Sequence, residues 1–257
     1  MNISPSKAAK NVLEGLGIED PALTDIEDLI VFYDGIVKHK PLGSCDGRMV
    51  MKNGRSIVTL NSNIEFPQKK RFVLAHELGH IICHAGKDAT FSDDYSTLEA
   101  YKHGPQEKEA NDFASEMLMP SESFVKACQR QKFGSSLIRF LATKYNTSLT
   151  ATVYRYLDLG PHPICVFYSK DGIVQYWKRS QTFNYWPKDR NRLHVPEDSV
   201  AQEFYGKGRI YQANDSDQII FKSTWYELRE YDNDTQMFEF CIITPQYNTV
   251  LSVIWEK

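Results

Sequence analysis

The sequence has no uninterrupted apolar segment near the roughly 20 residues that a bilayer-spanning helix requires, so no transmembrane helix is expected. Its first residues, MNISPSKAAKNVLEGLG, carry lysines but no apolar stretch leading to a small-residue cleavage signal, and a secretory leader is not expected. Cysteine is sparse. The five present, Cys45, Cys83, Cys128, Cys165 and Cys241, form no CxxC and leave one over after any two bridges. This disfavours a disulfide scaffold and points to a reducing, cytoplasmic setting. Excess charge of one sign is also missing, with 30 lysines and arginines against 33 aspartates and glutamates and a net charge of -3. A protein that coats nucleic acid over a broad face needs a basic surplus, so direct nucleic-acid binding is disfavoured. No long repeat, low-complexity tract or Gly/Ser linker interrupts the chain.

What remains is a globular composition: 257 residues, 42% of them apolar, enough to bury a sizeable core. The aromatics divide unevenly. Residues 1–159 hold 14 of them and residues 160–257 hold 18, including all four tryptophans. Two modules are expected, split near Gly160. In the first, helical spacing runs over Pro5–Leu16 and Leu23–Tyr33. Alternating, turn-rich sequence from Ile36 to Asn61 predicts strands, with Lys52-Asn53-Gly54-Arg55 as a turn. Phe72–His84 reads as a helix, the polar stretch AGKDATFSDDYSTLEAYKHGPQ as a partly ordered loop, and EKEANDFASEMLMP as a further helix stopped by Pro120. Ser123–Cys128, Leu137–Tyr145 and Thr150–Leu159 read as three more helices. Beyond Pro163, apolar runs flank Lys170-Asp171-Gly172 as in a hairpin. YELREY, MFEFCIITP and TVLSVIW are strand candidates, with a short helix at Ser199–Tyr205. The fold class is α+β.

The most informative local pattern is His76-Glu77-Leu78-Gly79-His80, an HExxH inside a segment already read as helix from its apolar spacing. Four residues make about one helical turn, so both imidazoles can face one zinc ion. Glu77 beside them is placed to take a proton from the attacking water and return it to a leaving nitrogen. The plainer account, two ordinary helix histidines and a solvated glutamate, uses none of this coincidence.

A hydrolytic zinc site needs a third protein ligand and a free coordination position. Glu107, Glu109, Asp112 and Glu116 lie on or near the later helix. Glu107 shares a stripe with the small residues Ala110, Asn111 and Ala114, which permit close approach of the two helices, whereas Glu109 lines up with Phe113. Glu107 is therefore favoured, with Glu109 the alternative. His84 continues the histidine spacing, but three ligands from one straight helix over two turns cannot easily converge on one small centre. It reads as a packing or hydrogen-bonding residue at the helix end. Cys83 reads as a reduced core cysteine.

Taken together, Gly47, the stretch Ile57–Asn61, Arg71–His80, Glu107–Pro120 and the segment from Leu141-Ala142 to Tyr156-Leu157 resemble the ImmA/IrrE family of zinc-dependent metallopeptidases. The resemblance covers roughly residues 5–159. It implies a zincin-like catalytic domain in which His76, His80 and Glu107 bind Zn2+ and Glu77 is the general base. It also implies limited endoproteolysis of a protein substrate such as a helix-turn-helix repressor, in transcription regulation or stress response. Because the resemblance starts almost at Met1, no DNA-binding extension is expected ahead of it, and any link to DNA is expected to lie in the substrate. A zinc-binding regulatory sensor or protein-interaction module with little cleavage is the alternative.

The chain is thus read as a metallopeptidase domain over 1–159 and an aromatic-rich α+β module over 160–257 that senses, recognises or stabilises. Trp177, Tyr185 and Trp186 interleave with Lys178, Arg179, Lys188, Arg190 and Arg192, a pattern able to stack on and attract an anionic ligand, though aromatics in strands more often serve packing. Tyr95, Tyr101 and His103 are candidates for stabilising an oxyanion, and spacing selects none of them.

Overall fold

The structure is a computed structural model that describes residues 3–85, 89–94, 104–188 and 193–256. It is a mixed α+β fold. The chain forms two units, one comprising residues 1–124 and 143–148, the other residues 125–142 and 149–257. The division falls within the helical segment, so most of the helices after Pro120 lie with the second unit.

The first unit begins with α1 (Pro5–Gly15), where Pro5 sits in the first turn and the Ser4 hydroxyl accepts from the Lys7 N–H. A 3-10 turn at Pro21–Leu23 precedes α2 (Ile26–Phe32). The single helix expected over Leu23–Tyr33 is broken because Thr24 is extended and the Asp25 carboxylate caps a new start by accepting from the Glu27 N–H at 2.8 Å. Strands β1 (Gly35–Lys40), β2 (Cys45–Lys52) and β3 (Arg55–Asn61) follow. Asn53 and Gly54 both take positive φ, 52° and 73°, the type I′ geometry that the expected turn requires.

The long helix α3 (Pro67–Cys83) starts five residues before the expected Phe72, because Pro67 opens it and the polar turn Gln68–Lys70 remains partly solvated. After it, β4 (Ala89–Asp94) lies where a loop was expected, and α4 (Pro105–Leu118) closes the unit's chemistry. The sheet order is β1-β3-β2-β4, with β1 parallel to β3 and the other pairs antiparallel. A register shift between Cys45 and Gly47 breaks the β2–β4 ladder at the point where β2 meets α3. Asn61 holds this end of the sheet: its side-chain amide donates to the Cys45 carbonyl at 2.7 Å and its oxygen accepts from the Asn63 N–H at 3.0 Å.

The core of this unit joins Val12 and Leu13 of α1, Ile26 and Ile30 of α2, Met49, Val58 and Leu60 of the sheet, and Phe113 and Met117 of α4 around α3. Every residue of α3 from Val73 to Ile81 is buried. The helix is therefore the centre of the unit rather than a surface element with one apolar stripe. Burying histidines and a glutamate inside such a helix is costly unless each is matched by a partner or an ion, so their placement is a chemical signature as well as a packing fact.

Helices α5 (Ser121–Cys128) and α6 (Ser135–Tyr145) run across the division, and α7 (Leu149–Leu159) belongs to the second unit. That unit's sheet combines β5 (Ile164–Lys170), β6 (Ile173–Arg179), β7 (Gln218–Phe221), β8 (Gln236–Thr244) and β9 (Thr249–Glu256) in the all-antiparallel order β6-β5-β9-β8-β7. Asp171 and Gly172, with φ of 52° and 77°, form the expected hairpin turn. Helices α8 (Val200–Lys207) and α9 (Lys222–Trp225) complete it. YELREY is not a strand: Tyr226 makes one isolated bridge to Pro187, and Tyr231 is 92% exposed with no sheet to cover it. No helix among the described residues is long and apolar enough to cross a membrane.

Candidate metal centre

Helices α3 and α4 pack together, and a glycine sets their separation. A Cβ on Gly79 would come within 3.1 Å of the Ala110 Cα and carbonyl oxygen and 3.2 Å of the Phe113 Cβ. The small residues expected to permit close approach do so at this crossing. Glu107, three residues before Ala110, is thereby carried over His76 and His80 one turn apart on α3.

The three side chains converge. His76 Nε2 lies 3.0 Å from Glu107 Oε2 and 3.0 Å from His80 Nε2, and His80 Nε2 lies 3.4 Å from the same carboxylate oxygen. Donors at about 2.0–2.1 Å from a tetrahedral ion stand about 3.3 Å apart, so the observed triangle is the size that such an ion requires. Among the described residues, this is the group of three or more histidine, cysteine or acidic side chains able to hold a metal ion. Burial alone would raise the Glu107 carboxyl, but hydrogen bonds and charge from His76 and His80 outweigh it and hold the group below the usual carboxylate range. It is thus an anionic donor, with two imidazole nitrogens as its neighbours.

The far nitrogens of both rings are engaged. His76 Nδ1 is 2.9 Å from Asn111 Oδ1, an acceptor, so Nδ1 carries a proton and donates to it, and Nε2 is the nitrogen turned toward Glu107. Asn111 lies one turn beyond Glu107 on α4. Sequence reading used Asn111 only as a small residue on a packing stripe and missed this contact, although its i+4 spacing from Glu107 was the signal.

Glu77 points to the sheet side of α3 and is 1% exposed. Its Oε1 would lie 2.6 Å from a Cβ at Gly47, and Val73 Cγ1 would lie 2.7 Å from the same atom. Gly47, noticed in the sequence as part of a pattern, is the space into which the Glu77 carboxylate fits.

The other candidates go elsewhere. Glu109 meets His84, 2.8 Å away, and not the three-residue cluster. Asp112 is exposed and approaches Lys108 at 4.0 Å. Glu116 accepts from the N–H and hydroxyl of Ser121, both at 2.9 Å, and so starts α5. Burial, aided by the charge of Glu109, pushes the Cys83 thiol up to about 11, which keeps it a protonated packing group. Tyr95, Tyr101, His103, Arg190 and Arg192 lie outside the described residues. Of the aromatic-basic pattern, Arg179 covers the Trp186 ring at 4.2 Å and Trp177 meets the same ring edge-on, so these groups pack on one another.

Residues 36–157 match the family model described as the IrrE N-terminal-like domain, from β1 through α7. The chain carries an ImmA/IrrE-family domain. The chain is also 28% identical over 142 residues to the radiation response metalloprotease IrrE of Deinococcus radiodurans, a match that takes in 54% of this chain and 42% of that protein. The chain therefore matches less than half the length of this relative. A solved structure titled a Mycobacterium tuberculosis transcriptional regulator shares the fold, with a TM-score of 0.58 over 98% of this chain and 87% of that one at 12% identity. The pairing of an HExxH helix with a glutamate from a second helix is the zincin-like feature of the IrrE-like domain.

Proposed function

We propose that the protein is a zinc-dependent endopeptidase that makes a limited cut in a regulatory protein, of which a helix-turn-helix repressor is the favoured class. The convergence of His76, His80 and Glu107 on one point, with Glu77 between the two histidines in sequence, carries this reading. Two imidazoles and one carboxylate are a donor set suited to zinc and leave a position for substrate or water. Bound there, zinc would supply Lewis-acid polarisation of the scissile carbonyl and of the attacking water.

The chain's own part follows from placement. Asn111 fixes the His76 ring so that Nε2 faces the site. Glu107 adds one negative charge, which leaves a divalent ion net positive and able to draw electron density from substrate. Glu77 holds and moves the proton, taking it from water as the carbonyl is attacked and delivering it to the departing amide nitrogen. The strong burial of the helix excludes bulk water from these groups and strengthens each electrostatic contact. The name of the Deinococcus relative, a metalloprotease, supports the same chemistry, and the family resemblance supports a regulatory substrate. The module over 160–257 is assigned a role in recognition, sensing or stabilisation.

The test is cleavage of candidate repressors by zinc-loaded protein. Wild type is expected to give one defined product, and Glu77→Gln is expected to retain zinc but lose at least about 10²-fold in rate, the scale of a lost general base. A product formed equally by Glu77→Gln would defeat the proton-transfer role. Zinc bound without any cleavage of regulators encoded beside it would favour a sensor over a peptidase.

A further inference from the structure

His84 and Glu109 are used neither by the three-residue cluster nor by the proton transfer, yet they form an ordered chain leading into it. His80 Nδ1 lies 3.1 Å from His84 Nδ1, and His84 Nε2 lies 2.8 Å from Glu109 Oε2. The two rings stand 5.2 Å apart, tilted by 42°, and His80 and His84 are both buried. Glu109 reaches them from the second turn of α4, with its side chain 45% exposed.

The direction of this chain is set at its outer end. A carboxylate can only accept, so the proton of a neutral His84 ring belongs on Nε2, where it is donated to Glu109. That leaves His84 Nδ1 as an acceptor. Across a 3.1 Å nitrogen pair one atom must donate, and the proton of His80 therefore sits on Nδ1. Its Nε2 is then the nitrogen turned to the side where His76 and Glu107 converge. His76 is held in the same orientation through Asn111, with a single amide oxygen.

We infer that His84 and Glu109 are positioning residues for His80, acting as a two-member relay that engages Nδ1 and holds the ring so that Nε2 is the nitrogen presented to an ion. The inference rests on the metal reading above, and goes beyond it by assigning a role to two residues that do not touch the ion. Helix α4 thereby supplies both outer contacts: Asn111 to His76 directly, and Glu109 to His80 through His84, the residue that caps α3.

Zinc affinity, measured by competition with a chromophoric chelator, and histidine tautomers, read by 15N NMR of the metal-free protein, test it. His84→Phe keeps a ring of similar size without nitrogens. Glu109→Ala changes a half-exposed side chain that the core does not need, so folding is preserved even if the histidine variant is impaired. Both are expected to weaken zinc binding about 10–100-fold, the usual effect of removing an outer hydrogen-bond partner. Glu109→Gln keeps an acceptor oxygen for His84 and is expected to stay within a few-fold of wild type, a rescue that a merely structural carboxylate would not show. The metal-free spectrum should show His80 protonated at Nδ1. Unchanged affinity in both Glu109→Ala and His84→Phe, or a His80 with no proton on Nδ1, would overturn the inference while leaving the metal site standing. Wild-type protein that binds no zinc would instead overturn the metal reading and this inference with it.

Discussion

Gly47 carries no chemistry, yet a methyl group there would meet the Glu77 carboxylate at 2.6 Å and Val73 at 2.7 Å. Its strand lies inside the sheet, flanked by β3 and β4, so the backbone cannot move aside without disturbing two ladders. Gly47→Ala is expected to cost about 1–3 kcal/mol in chemical denaturation, as overpacked cores do. It should also reduce cleavage by more than that loss explains, with zinc affinity little changed, because the methyl displaces Glu77, the proposed proton carrier, and not the proposed ligands. Full activity in a folded Gly47→Ala protein would show that Glu77 does not need this seat. The same residue marks how far the site was legible. His76, Glu77 and His80 declare themselves because their spacing lies within one helix. Glu107 could be chosen over Glu109 because small residues on its stripe indicate where two helices touch. His84 was legible as a hydrogen-bonding residue at the helix end, but its partner was not, since Glu109 arrives from another helix at 2.8 Å, a distance that no local spacing encodes.

Between α3 and α4 the controlling quantity is separation. A Cβ on Gly79 would meet backbone atoms of Ala110 at 3.1 Å, and backbone cannot rotate away as a side chain can. Replacing it with alanine therefore has two opposed effects. Helix propensity favours alanine by about 0.8–1.0 kcal/mol, whereas the new methyl spreads the helices by a few tenths of an ångström. Global stability in Gly79→Ala is expected to change by less than about 1 kcal/mol for this reason. Zinc binding is expected to weaken about tenfold, comparable to the mildest losses from disturbed ligand support, because the spreading lifts Glu107 away from both histidines. Calorimetric titration of zinc beside thermal unfolding separates the two effects, and unchanged affinity would mean that α4 shifts without carrying Glu107. Elements with a strong period or a defined turn were legible, such as α3 and the turns at Asn53-Gly54 and Asp171-Gly172. Strand β4 was not, since Ala-Thr-Phe-Ser-Asp-Asp alternates over only four residues within a long polar stretch and its pairing is supplied by β2. YELREY failed in the opposite way, because its alternation has no partner strand to bury it beyond Tyr226.

Across the whole molecule, the two units bury charge for different ends. In the first, Glu107 is kept anionic by two histidines, as a metal site requires. In the second, Glu239 on β8 is 0% exposed and serves structure: its carboxylate accepts from the Val200 N–H at 2.9 Å and the Trp225 indole N–H at 3.2 Å, tying the start of α8 and the end of α9 to the sheet. Burial drives this carboxyl above its ordinary value of 4.5, and hydrogen bonds from Ser252, Val200, Trp225 and Ala201 pull it only part of the way back. A carboxyl that holds its proton more tightly when folded favours the native state below the unfolded value, and that contribution is lost as pH rises through the folded value. Relative to Glu239→Gln, which cannot titrate, wild type should therefore lose stability as pH increases above about 4.5. The slope should not exceed about 1.4 kcal/mol per pH unit, the limit for one proton. All four tryptophans, Trp177, Trp186, Trp225 and Trp255, lie in the second unit, so selectively excited tryptophan fluorescence follows the unfolding of that unit. Denaturation curves read this way across the acid-to-neutral range give the difference directly. A wild-type minus Glu239→Gln difference that stays flat with pH would mean that the donors around Glu239 cancel the cost of its burial and keep it charged throughout.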